Sequence, residues 1–215
     1  MNCHICFKPT QFFLDEKTDI IYYHCKVCEY IFKSPKYYQD LTLQKKRYNL
    51  HTNHENDVGY IAYFQRFLDF LLPRIDISIY PTLEALDFGC GKSSILSEML
   101  KEKGISTDYY DPIYHPKLDE KKKYNLIVST EVFEHLHHPR EVFESLIKRL
   151  HVGGYLAIQT QFHSNEVATF KRWYYHKDST HIVFFRAQTF AILANDFGCK
   201  VIDDNQKNMI IIKKS

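Results

Sequence analysis

Six cysteines occur in this chain of 215 residues, and four of them are paired by spacing. Cys3-His4-Ile5-Cys6 and Cys25-Lys26-Val27-Cys28 are two CxxC turns with 18 residues between Cys6 and Cys25. Each turn can bend two thiolates toward one point, and two such turns make a tetrahedral sulfur site suited to zinc. Four thiolates leave no open coordination position, so a zinc ion held by Cys3, Cys6, Cys25 and Cys28 would be structural. His4 and His24 flank the tetrad without being needed by it. In this zinc ribbon Lys8, Lys17 and Lys26 balance Asp15, Glu16 and Asp19, which makes it a weak grip for a phosphate backbone.

A second constellation centres on Gly89-Cys90-Gly91. Glycine lets the backbone pass close to a ligand, and the free N–H groups at a following helix start favour polar or anionic groups. Asp87 lies two residues before the first glycine, and Asp111 lies 20 after the second, at the end of the next expected strand. A carboxylate there can accept hydrogen bonds from both hydroxyls of a ribose.

These residues need elements to hold them. Gln11 to Leu14 and Ile20 to Tyr23 read as a hairpin between the cysteine pairs, too small to fold without its metal. Ile61, Phe64, Phe67, Leu68, Leu71 and Leu72 recur at helical steps until Pro73. Leu83 to Phe88 reads as a buried strand entering the glycine turn, and Ile95, Leu96, Met99 and Leu100 mark the helix that leaves it. Strands follow over residues 106–110 and 124–130, then a helix opened by Pro139, and a strand from Tyr155 to Thr160 after Gly153-Gly154. A helix at 189–197 and a hairpin with strands at 199–203 and 209–213 close the chain.

The run Leu86-Asp87-Phe88-Gly89-Cys90-Gly91 resembles the first motif of the class I S-adenosylmethionine-dependent methyltransferases, with Asp111 matching their ribose-binding acid. Glu131-Val132-Phe133-Glu134-His135-Leu136 is similar to the EVLEH signature of quinone-biosynthesis-type members. The segments around Tyr48 to Asn53 and Trp173 to Phe185 look like those of a bacterial zinc-ribbon group without an assigned substrate. The resemblance implies an α/β, Rossmann-like sheet of about six strands, the last antiparallel, that binds S-adenosylmethionine. Only 12 residues separate Asp111 from Tyr124, too few for the family's usual middle helix and strand. The sheet should therefore be trimmed there. The adenine would fall to Thr130, Glu131 or the connector, with Pro112, Cys90, Tyr48 and Asn53 completing the cofactor contacts.

Methyl transfer is an in-line displacement at a sulfonium, so the protein mainly aligns the nucleophile and excludes water. A histidine base would help a hydroxyl or amine acceptor, and His181 is the first choice, followed by His163 and His51. Trp173, Tyr174 and Tyr175 offer an aromatic wall or core packing.

Length and charge bound the rest. The organisation expected is a zinc ribbon over 1–33, a connector over 34–56 that covers the active site, and a methyltransferase domain over 57–215. A net charge of +2 gives no global field for nucleic acid, although Lys45-Lys46-Arg47 is a local basic cluster. No stretch approaches the roughly 20 apolar residues of a membrane span, and a cytoplasmic protein is expected. A small-molecule acceptor leads; an RNA acceptor docked by the ribbon, or a non-catalytic cofactor-binding protein, are the alternatives.

Overall fold

The computed structural model describes residues 1–38, 58–76 and 82–215. Its centre is a six-stranded sheet in the order β5-β4-β6-β7-β10-β9. The strands are β4 (Glu84–Phe88), β5 (Ser106–Tyr110), β6 (Tyr124–Thr130), β7 (Leu150–Gln159), β9 (Cys199–Asp204) and β10 (Met209–Lys214). β4 pairs in parallel with both β5 and β6, and β6 with β7, while β10 runs antiparallel to β7 and β9. This is the trimmed, mixed sheet the sequence predicts. Residues 112–123 form a turn and coil with neither helix nor strand.

The side-chain alternation of a pleated strand divides the apolar residues between two faces. Ala85, Leu126, Val128, Tyr155, Ala157 and Ile211 point to one layer, where α1 (Val58–Leu71) and α2 (Ile95–Glu102) bury Phe64, Phe67, Leu68, Leu71, Leu96 and Leu100. Leu86, Ile127, Leu156, Ile158, Ile210 and Ile212 point to the other, covered by α3 (Pro139–Arg149) and α5 (Ala187–Asp196). A short helix α4 (Val167–Phe170) lies between β7 and α5. β7 begins at Leu150, five residues earlier than the sequence predicts. It carries both glycines inside the strand, where β6–β7 pairing slips between Tyr124 and Leu126. Gly154 is required there, because a Cβ would lie 2.9 Å from Asn125 O.

The N-terminal hairpin, β1 (Gln11–Asp15) and β2 (Ile20–His24), continues into β3 (Ile31–Lys33), all of whose residues are buried. β3 then pairs with β8 (Val183–Phe184), a strand contributed by the second half of the chain. The resulting four-stranded sheet, β1-β2-β3-β8, joins the ribbon to the segment carrying His181. Cys3, Cys25 and Cys28 belong to the same apolar cluster as Phe133, Phe185 and Phe190. Among the described residues no helix is long and apolar enough to cross a membrane.

Candidate active site

The glycine turn sits at the carboxyl end of β4, where open α/β sheets bind ligands. Gly89 and Gly91 have φ of +81° and +69°, a region that favours glycine. Gly91 faces open space, so a ligand can approach its backbone. Gly89 does the opposite: a methyl group built on it would lie 2.2 Å from Val132 Cγ2. The segment after β6 is therefore pressed directly onto the turn.

Asp111 lies across that turn. Its Oδ2 accepts from Gly91 N at 3.3 Å, and its Oδ1 accepts from Ile113 N at 2.8 Å and Tyr114 N at 3.0 Å. Backbone bonds between Asp111 and His115 close this loop around the exposed Pro112. Cys90 is half-buried beside Gly91 O. Asp87 is buried beneath the turn, accepting from Ser97 Oγ at 2.9 Å, and burial pushes its carboxyl up to about 7. A carboxyl with a raised folded pKa contributes stability that is complete below its unfolded value near 4 and is lost as pH rises through about 7. The ligand-free protein should thus lose up to about 4 kcal/mol between pH 4 and 7 through this group. Asp87→Asn should remove that slope, measured as the difference between variant and wild-type melting curves across the pH range.

A second cluster follows β6. Thr130 is the half-buried last residue of the strand, and Glu131 turns at φ +53°, its N–H donating to Gln159 O at 2.8 Å. Tyr63 on α1 donates to Glu131, and Tyr175 Oη bridges the two carboxyls, within hydrogen-bond reach of Glu134 Oε1 and 2.8 Å from Glu131 Oε2. Thr160 Oγ1 donates to Glu134 Oε2 at 2.9 Å. Burial pushes Glu131 up to about 8, with the nearby Glu134 adding to it, and burial raises Glu134 as well. His135 Nδ1 lies 3.0 Å from Thr180 O, and His181 Nδ1 lies 2.8 Å from Tyr175 O. The two imidazoles meet edge to face with centroids 4.8 Å apart. Burial lowers His181 to about 3, so it is neutral at physiological pH.

Of the histidines put forward as bases, His181 reaches this cluster and His163 lies apart from it, at the ribbon. His163 is buried against the ribbon; its Nε2 donates to Glu29 O at 2.7 Å and its Nδ1 accepts from Asn165 N at 3.0 Å. Both ring nitrogens are committed to these contacts, which tie the ribbon to the loop after β7. His51, Tyr48 and Asn53 lie outside the described residues. Glu134, and the hydroxyl of Tyr175 as distinct from its ring, are what sequence reasoning missed. The signal was present in the three-residue step from Glu131 to Glu134, which a 3-10 turn (Phe133–His135) uses to bring both carboxyls to one hydroxyl.

The four cysteines converge as their spacing predicts. Cys3 and Cys28 sulfurs lie 3.4 Å apart, as do those of Cys6 and Cys25. All four are within 4.8 Å of one another, against about 3.8 Å for thiolates around a tetrahedral zinc. Backbone bonds Phe7 N to Cys3 O and Cys25 N to Tyr30 O shape the two turns, and Ile5 N donates to Cys3 Sγ.

A family described as "Methyltransferase domain" matches residues 53–204. No curated protein matches the chain by sequence. Among solved structures, an O-methyltransferase family protein from Burkholderia thailandensis is similar with a TM-score of 0.51 and 14% identity, over 80% of this chain and 63% of that one. An O-methyltransferase family 2 protein from Planctomyces limnophilus, solved with apigenin, has a TM-score of 0.51 and 15% identity, over 71% and 57% of the two chains. This chain thus spans about three fifths of the length of these relatives, and at such identity the likeness is one of fold.

Proposed function

This chain belongs to the methyltransferase-domain family, and from that premise we propose that it transfers the methyl group of S-adenosylmethionine to a small-molecule hydroxyl or amine. The observation that carries this reading is the contact of Val132 with Gly89. It sets the acid–histidine cluster against the very turn that Asp111 faces, so nucleotide and acceptor subsites meet at two adjacent strand ends.

Asp111 would receive the ribose hydroxyls, the Gly89–Gly91 backbone would pass under the amino-acid portion, and Cys90, Pro112, Thr130 and Glu131 would wall the nucleoside. The bound donor supplies an electrophilic methyl on a sulfonium. The chain itself has to orient the acceptor, exclude water and receive a proton. Tyr63 fixes the Glu131 carboxyl by donating to it, and Tyr175 Oη holds it from the other side. His181 donates through Nδ1 to a carbonyl, which places its lone pair on Nε2. The cysteine tetrad fits a structural zinc. Its net-neutral ribbon and its burial against α5 and β8 favour a scaffold over a nucleic-acid dock.

Two outcomes test the reading. With a deuterium-labelled methyl donor, label should enter the small-molecule fraction of a cell extract; label confined to RNA would replace the acceptor proposed. His181→Ala should lower kcat, by less than the ~10²–10⁴-fold of a base poised near neutral pH because burial holds this imidazole near 3, while affinity for S-adenosylhomocysteine stays unchanged. An unchanged kcat would remove His181 from the chemistry.

A further inference from the structure

Most polar side chains near the strand ends have their hydrogen bonds made within the protein. Thr160 Oγ1 donates to Glu134, Ser97 Oγ donates to Asp87, and Asn125 Oδ1 accepts from Glu84 N at 3.0 Å. Gln159 departs from this pattern. It is 1% exposed, and its Oε1 is buried without a hydrogen-bond partner. A buried amide oxygen left unpaired is costly, and such groups are rare in folded proteins. We propose that Gln159 is an acceptor-recognition residue, whose amide oxygen receives a hydrogen bond from an N–H or O–H of the methyl acceptor beside the atom to be methylated.

Its place in the sheet points to a ligand. Gln159 is the last residue of β7, with Thr130 on β6 and Met209 on β10 as its neighbours across the strands. Pleating alternates side chains, so Gln159 follows Tyr155 and Ala157 onto the α1 face, where Met209 also packs. Thr130 follows Val128 onto the same face. Tyr63 of α1 packs there and reaches across to Glu131, whose own N–H donates to Gln159 O at 2.8 Å. The glutamine therefore stands one strand spacing, about 4.8 Å, from Thr130 and beside the turn of Glu131. Thr130, Glu131 and Tyr63 are only half-buried, so the groups that ring the amide reach solvent. The glutamine tip turns on its side-chain torsions, and a molecule seated among those groups can meet it. Ser129 Oγ also lacks a partner, but it lies on the opposite face with Ile127 and Ile158 and looks into the core.

The role rests on the methyltransferase reading above and narrows it. Small-molecule pockets are mainly apolar, and a few placed polar groups fix the orientation of what they bind. The cluster around Glu131 and His181 serves the atom that is methylated; Gln159 holds a second polar group of the same molecule. A site built to receive an N–H or O–H rejects an analogue that lacks it, because the amide then stays unpaired. The acceptors are thus molecules with two polar groups close together, such as amino alcohols or hydroxy-amides, and monofunctional alcohols are turned away. The second hydrogen is bound and not removed, so it survives in the product.

The test incubates the full chain and its Gln159→Met variant with methyl-labelled S-adenosylmethionine and the small-molecule fraction of a cell extract. Methionine keeps the length of glutamine and removes the oxygen. Mass spectrometry of the wild-type reaction should show labelled products that retain an N–H or O–H within a few bonds of the new methyl. Gln159→Met should lower the initial rate at limiting acceptor at least tenfold. Its affinity for S-adenosylhomocysteine and its melting temperature should not fall, since the lost oxygen had no partner in the protein. A labelled product without such a group would overturn the assignment, as would equal rates in the two proteins. A melting temperature lowered by several degrees would also overturn it, by showing that the amide serves the fold. A wild type that binds S-adenosylhomocysteine yet labels no small molecule would instead overturn the small-molecule reading, and this assignment with it.

Discussion

Asp111→Ala should weaken S-adenosylmethionine binding by about 10²–10³-fold, the largest loss expected from one substitution in the nucleotide half of the site. The carboxylate has about four acceptor positions, and three backbone N–H groups occupy some of them in the ligand-free chain. Its contact with Gly91 N, at 3.3 Å, is the longest and the one a ribose hydroxyl would displace. Hydrogen bonds to a charged acceptor contribute roughly 1.5–3 kcal/mol each, so losing two hydroxyl partners costs about 3–4 kcal/mol after partial compensation. Ile113 and Tyr114 would also lose the acceptor that folds their loop. Asp111→Asn keeps one carbonyl acceptor and should fall between wild type and alanine. Calorimetric titration of the three proteins gives the order; equal affinities would take Asp111 out of the cofactor site.

If the tetrad holds the zinc proposed for it, Cys28→Ser should release that ion and lower the melting temperature of the whole chain by more than 10 °C. Metal binding supplies about 10–16 kcal/mol in small zinc domains, and one lost ligand forfeits much of it. At roughly 2–4 °C per kcal/mol for a chain of this size, a loss of 5 kcal/mol already gives such a shift. The loss spreads because the ribbon is built into the rest. Thr189 Oγ1 donates to Cys28 O at 2.8 Å, and Arg140 donates to Ile5 O at 2.7 Å. Arg186 reaches both Glu29 Oε2 and His163 O at 2.6 Å. His176 Nε2 lies 3.0 Å from Asp15 Oδ2 with both side chains buried. Lys33, buried in β3, donates to Asp178 O three residues before His181. A single calorimetric transition should therefore move as a unit. Two separate transitions, with only a small early one lost in Cys28→Ser, would mean that the ribbon is an independent appendage.

What could be read in the residues divides along the same line. The cysteine tetrad, the glycine turn and Asp111 were legible because each depends on short-range spacing, and strand–turn–helix periodicity fixes their places. The trimmed sheet was legible by length alone, since 12 residues cannot hold a helix and a strand. The pairing of β3 with β8 was not, because it joins Phe32 to Val183 across some 150 residues and a two-residue strand carries no period. His163 illustrates the same limit. Its type and position suit a base, but the Glu29 carbonyl and the Asn165 amide that occupy it come from folding. Glu134 lay in plain sight within a recognised signature, yet its chemistry appears only when Tyr175 and His181, more than 40 residues on, are brought to it.

The measurement that bears most directly on the account is calorimetric binding of S-adenosylmethionine and S-adenosylhomocysteine to the zinc-loaded full chain, with Asp111→Ala beside it. One saturable site per chain for each ligand, lost or severely weakened in the variant while it remains folded, is the predicted result. Absence of binding by both ligands at millimolar concentration, in a protein that is folded and holds its zinc, would contradict it.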